Sequence, residues 1–199
     1  MSWSKACAAI LENNVVLLRP IVLSDAEPFR AIAFDADIWR YFVFRIDKQA
    51  DLDKFIADSI NDTAAGTCVA FSIIVKASQE LAGSMSYLNL AEKEKRLEIG
   101  RSWLGKQFRG AGINHWAKFL LLEYAFESLD CERVEFKTDV LNLQARHGLL
   151  NIGAKEEGVL RSYNFMPDGR RRDAIFYSVL KSEWPGVKEM LLRGPKQRA

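Results

Sequence analysis

From Gly112 to Leu129 the apolar residues Ile113, Trp116, Phe119, Leu120, Leu121, Leu122, Tyr124, Ala125, Phe126 and Leu129 take up most of a helix's circumference rather than one stripe. Such a helix is covered on more than one side, so it must lie inside a layered fold. The segments flanking it, about Arg96 to Leu104 and Arg133 to Val140, read as strands. A strand, a helix and a second strand in that order predict a right-handed parallel crossover.

The rest of the chain arranges itself around this unit. Val15 to Leu18, stopped by Arg19-Pro20, reads as a first strand, and Ser24-Asp25 caps a helix through about Ala33 with Pro28 tolerated in its first turn. Leu52, Phe55, Ile56 and Ile60 have helical spacing within Gln49 to Ile60. Thr67 to Lys76 and Glu80 to Leu90, joined by Ala77-Ser78-Gln79, form an antiparallel hairpin. Asn142 to Leu150 is a short helix ended by Gly153, followed by strands at Lys155 to Arg161 and Asp173 to Leu180 around the turn Pro167-Asp168-Gly169. This order predicts a mixed α/β (α+β) domain covering residues 1–199, with its core at about 12–190 and a frayed tail at 194–199.

Composition narrows the function classes. The net charge is only +2 with signs interspersed, so a dedicated DNA or RNA binder is disfavoured. Cys7, Cys68 and Cys131 form no CxxC pair, which fits reduced, packed thiols and a cytoplasmic location. The apolar run Ala6 to Leu11 is far shorter than the roughly 20 residues of a membrane span, so no membrane role is expected. His115 reads as a packed or capping residue and His147 as a surface one; with the scattered cysteines they give no metal-ligand spacing, and no metal is expected. A GxSxG elbow is also absent.

Gln107-Phe108-Arg109-Gly110-Ala111-Gly112 joins the strand to the long helix. Its two glycines permit close backbone approach and positive φ, and the helix start offers unpaired N–H groups, which together make an anion site suited to pyrophosphate. Gly105 to Gly110 has GxxxxG spacing but is followed by Ala111-Gly112, so it is not a Walker A loop, and His115 stands where a dinucleotide fingerprint needs a third glycine. Taken alone, the turn reads more readily as a tight strand-to-helix connection.

Several further stretches resemble the GNAT superfamily of N-acetyltransferases, in particular the group similar to ribosomal-protein N-terminal (alanine/serine) acetyltransferases. They are Leu18-Arg19-Pro20 with Ser24-Asp25, Glu98-Ile99-Gly100 with Trp103-Leu104, Gln107 to Gly112, Arg133 to Thr138, Asn142 with Arg146, Glu157 to Arg161, Asp168-Gly169-Arg170 with Arg172-Asp173, and Glu183-Trp184-Pro185. The resemblance spans about residues 12 to 190 and implies a mostly antiparallel sheet of six to seven strands with a splayed parallel pair. It implies acetyl-CoA as co-substrate, held by Trp103 and Leu104, by Gln107, Phe108, Arg109, Gly110, Ala111, Gly112, Ile113 and Asn114, and by Asn142 and Arg146. Ala145 departs from the pattern, since the group commonly has a hydroxyl there to protonate the departing thiolate. The acid step then falls to water, another hydroxyl or no group, and a degenerate acyl-CoA-binding module is an alternative.

The acceptor implied is a primary amine, on a peptide N-terminus or a small molecule, and the chain is a possible homodimer. Glu98 is the candidate base, directly or through water; alternatively it closes the charged run Glu92 to Glu98 on a solvated hairpin. Trp39, Tyr41, Phe42 and Phe44 lie in the region that covers the acceptor in the family, so Trp39, Tyr41 and Phe44, with Tyr87, are candidate substrate residues, core packing being the other reading. Arg170-Arg171-Arg172 is either a solvated hairpin tip or a contact for CoA phosphate, an acidic acceptor or RNA.

Overall fold

The computed structural model describes Trp3 and residues 9–195. Cys7 and the outer part of the tail lie outside the described residues. The strands are β1 (Leu11–Glu12), β2 (Val16–Pro20), β3 (Val69–Val75), β4 (Leu81–Ala91), β5 (Arg96–Leu104), β6 (Arg133–Asp139), β7 (Lys155–Phe165) and β8 (Arg171–Leu180). They form one eight-stranded sheet in the order β1-β2-β3-β4-β5-β6-β8-β7. The helices are α1 (Ala26–Ala33), α2 (Ala36–Trp39), α3 (Gln49–Ala65), α4 (Ile113–Glu127), α5 (Leu143–Asn151) and α6 (Trp184–Leu192).

Of the strand pairs, β5 and β6 are parallel and the others antiparallel, as the α4 crossover demands. The sheet has one strand more than expected because the two-residue β1 pairs Leu11 with Leu18. α3 runs five residues beyond Ile60, until Gly66 takes a left-handed φ of 70° and ends it. β7 extends to Phe165 because irregular pairing at Gly158 and between Leu160 and Asn164 lets it stay beside β8. α6 forms although Pro185 follows its first residue, since a proline in the first turn sacrifices no helical hydrogen bond.

Asp25 does more than start α1. Its side chain makes no capping bond to α1 and is instead buried against the sheet, accepting from Arg19 (2.6 and 2.9 Å), Ser72 Oγ (2.7 Å) and the Val22 N–H (3.0 Å). Burial alone disfavours its charge, but Arg19, the Val22 N–H and Ser72 outweigh that cost and hold its pKa below the ordinary value. α1 is thereby pinned to β2 and β3. Behind it Phe29 packs on Trp103 and Phe55, with ring centroids 5.3 and 6.1 Å apart.

Candidate active site

β5 and β6 pair at Arg96 with Arg133, Leu97 with Val134 and Glu98 with Glu135, and then part. The opening between them is a cleft of about 1890 Å³. That exceeds the roughly 300–1,000 Å³ of a site for one small ligand. One wall is the free edge of β5 from Ile99 to Leu104, and the other is Phe136 to Thr138 with the start of α5.

A bulge shapes the β5 wall. Ser84 faces Trp103 while Ser86 faces Gly100, so β5 carries one extra residue, and Arg101 takes a φ of 49°. Glu98 and Trp103 are an odd number of positions apart, and simple alternation would put them on opposite faces. The extra residue resets the alternation, and both line the cleft.

At one end of the cleft lies the glycine turn. Gly110 and Gly112 have φ of 83° and 78°, and a Cβ at Gly110 would meet no atom within 4 Å, so the glycine serves the backbone conformation and leaves open space. Gly112 is the N-cap of α4, whose first N–H groups have no carbonyl one turn back. Lys118, one turn further and also on the cleft wall, is buried and donates to Asn114 Oδ1 (2.6 Å); burial brings its pKa down to about 8. A pyrophosphate is complementary to this end, and the amides of a pantetheine arm to the unpaired β5 edge, so the residues present fit coenzyme A.

Several of the expected cofactor residues turn their side chains to other partners. Arg109 lines the cleft, but its Nε donates to Leu104 O (3.2 Å) and its Nη2 lies 3.6 Å from Asp35, tying the turn to the end of β5. Phe108 and Ile113 are buried in the core, and Gln107 lies beside a shallow depression next to Arg30 and Lys106. Asn142 caps α5, its Oδ1 accepting from Ala145 N (3.1 Å). The Arg146 side chain turns away to Tyr177 Oη (3.2 Å), Val140 O (3.1 Å) and Glu156 (3.6 Å), which removes it from the cleft wall. Ala145 lines the cleft and offers no proton.

Glu98 stands where the strands part and is only 4% exposed. Its Oε2 accepts from Asn89 Nδ2 (2.8 Å) and Lys137 Nζ (3.2 Å), while Oε1 has no hydrogen bond among the described residues and is not sealed off. Asn89 reaches it from a second bulge, on β4, where its φ is 51°. Neither Asn89 nor Lys137 stood out in the sequence. The one hint was an asparagine inside a strand, a residue that tolerates left-handed φ.

The aromatic segment divides. Tyr41 and Phe44 line the cleft, whereas Trp39 is 2% exposed, bonds Ala33 O through Nε1 (2.7 Å) and packs on Phe42, Phe44 and Trp103. Tyr87 is also a core residue, wholly buried against Phe71 with its hydroxyl donating to Leu121 O of α4, so it does not reach the acceptor side. His115 packs as expected, with its Nε2 2.9 Å from Leu191 O, and His147 is exposed. The arginine run is not a uniform solvated tip. Arg170 pairs with buried Asp139 (2.5 Å), Arg171 lies over Phe165, and Arg172 enters the cleft wall.

Comparisons with known proteins agree with this architecture. Residues 16–155 match the family model of the acetyltransferase (GNAT) domain. The chain is 30% identical over 177 residues to the Bacillus licheniformis protein named "uncharacterized N-acetyltransferase p20", covering 88% of this chain and 98% of that one. It is 39% identical over 108 residues to the Bacillus subtilis (strain 168) protein named "putative ribosomal N-acetyltransferase YdaF", covering 54% and 58%. The crystal structure of a GCN5-related N-acetyltransferase from Brucella melitensis has the same fold, with a TM-score of 0.86 at 23% identity over 94% of this chain and 85% of that one. A splayed parallel pair, a glycine turn at a helix start and these relatives identify the chain as an N-acetyltransferase of the GNAT family.

Proposed function

We propose that the protein moves the acetyl group of acetyl-CoA to a primary amine by direct attack in a ternary complex. One observation carries this reading: Glu98 presents an unbonded carboxylate oxygen at the point where β5 leaves β6, in the same cleft as the helix terminus suited to pyrophosphate. Acetyl-CoA supplies an acyl thioester. The β5 edge from Ile99 to Leu104 pairs with the pantetheine amides and directs the thioester along the cleft toward Glu98.

Glu98 takes the proton of the incoming amine, directly or through water, while Asn89 and Lys137 hold its other oxygen and fix the carboxylate's orientation. At pH 7 deprotonation costs about 1 kcal/mol for an α-amine and about 4 to 5 for a lysine-like amine, so a single carboxylate suits a peptide N-terminus better. The ribosomal label on the Bacillus subtilis relative agrees with a protein acceptor. No hydroxyl stands at Ala145 to protonate the thiolate. With a thiol pKa near 8.5, the thiolate leaves without one.

Incubation with acetyl-CoA and a panel of N-terminal peptides, polyamines and aminoglycosides, read as free thiol, tests the proposal. Acceptor-dependent thiol release is expected, greatest for N-terminal peptides. CoA binding without release for any acceptor would favour a binding module instead.

A further inference from the structure

Strand alternation along β8 sends Arg172 into the cleft while its neighbours find other partners. The residue is 6% exposed, and among the described residues its guanidinium has no hydrogen bond and no carboxylate within 4.0 Å. The nearby carboxylates have other partners. Asp139 is held by Arg170 and by the Leu141 N–H (3.0 Å), and Glu98 by Asn89 and Lys137. Only Nε of Arg172 is fully sealed, so its remaining donors open on the cleft. A guanidinium cannot shed its charge to relieve burial, and a buried unpaired one is costly. Burial does lower its pKa, and Asp139 and Glu98 support the charge without bonding it.

Two neighbouring cations in the cleft have acidic partners. Lys137 pairs with Glu98 and lies over the Tyr163 ring (5.3 Å to the centroid), and Arg101 is 3.8 Å from Asp62. Arg172 is thus a buried cation awaiting a planar anion beside the candidate base. Resting on the transferase reading above, we propose that Arg172 is a specificity residue that binds a carboxylate of the acceptor, so that the preferred substrate is an amine bearing an acidic group near its reactive nitrogen.

Two sources supply that chemistry: the side chain of an acidic residue at a peptide N-terminus, and the carboxylate of a free amino acid. The test compares peptides beginning Asp-Ala and Glu-Ala with their Asn-Ala and Gln-Ala counterparts, free aspartate and glutamate, and spermidine, each with acetyl-CoA. The acidic member of each peptide pair should have a KM at least about tenfold lower, as expected for one charge-assisted contact in a desolvated site. Arg172→Gln should bring the KM of the acidic peptide up to that of its amide, and Arg172→Lys should keep part of the difference. Thermal unfolding and CoA affinity serve as checks that both variants fold.

A variant that lowers kcat equally for acidic and neutral acceptors would place Arg172 on the thioester carbonyl and overturn the proposal. Equal KM values in each pair, or a preference for spermidine, would overturn it too. If no acceptor is consumed, the transferase reading fails separately. The anchor is then judged by calorimetry of the acidic and amide peptides with CoA-loaded protein, where about tenfold tighter acidic binding, lost in Arg172→Gln, supports it and equal affinities refute it.

Discussion

The two ends of the cleft are built by different means. On the proposed reading, the coenzyme end is built mainly from backbone, the free edge of β5 and the first turn of α4 reached through Gly110 and Gly112, with Lys118 as a charged side chain on α4. Expected side chains there turn elsewhere, Arg146 to Tyr177 and Phe108 into the core. The proposed acceptor end relies instead on side chains from separate strands: Asn89 from β4, Glu98 from β5, Lys137 from β6 and Arg172 from β8. A backbone site accepts the same cofactor whatever the side chains do. A side-chain site changes its acceptor with each substitution.

That contrast predicts which variants damage which end. Glu98→Gln has the largest expected effect, a loss of about 100-fold or more in kcat/KM with CoA affinity retained, measured by thiol release. Its deficit deepens as pH falls from 9 to 6, because the α-amine with a pKa near 8 then depends increasingly on a base. Next, Asp25→Asn removes the anion that pins α1, and with it Phe29 behind Trp103, to the sheet. A loss of about 3 kcal/mol is expected for breaking a buried pair, roughly 6–12 °C in Tm for a domain of this size.

Asp25 has a lowered folded pKa, so its stabilisation is present above the unfolded value of about 4 and is lost as pH falls through the folded one. Denaturant melts between pH 6 and 3 should show that loss in the wild type and a smaller one in the variant. Gly110→Val forces a β-branched residue toward a left-handed φ and should weaken CoA about tenfold, by calorimetry, with little change in acceptor preference. The smallest effect concerns Lys118, whose pKa of about 8 makes the coenzyme end lose positive charge as pH rises from 7 to 9. CoA affinity should fall a few-fold over that range, and Lys118→Met should flatten the dependence.

The same division explains what was legible in the sequence. The glycine turn, the wrapped helix α4 and the parallel crossover follow from local patterns, since glycine spacing and 3.6-residue periodicity act within a few residues of chain. The acceptor wall depends on two bulges, at Asn89 and Arg101, which shift alternation by one residue and leave no mark in composition. Tyr87 was misplaced for a related reason, because an amphipathic ring in a strand belongs to the core or to the cleft according to which face the register selects. No helix is expected at α6 from the sequence, although Pro185 occupies the first turn, which tolerates a proline. The arginine run reads as one feature; strand alternation sets Arg171 apart from Arg172, and the ion pair with Asp139 sets Arg170 apart from both.

Amide hydrogen exchange with and without CoA tests most directly whether the coenzyme end is written in backbone groups. CoA should slow exchange in residues 99–104 and 110–115 and leave β1 and β2 unchanged. Binding that leaves both stretches unprotected, or that protects a different edge of the sheet, would contradict the account.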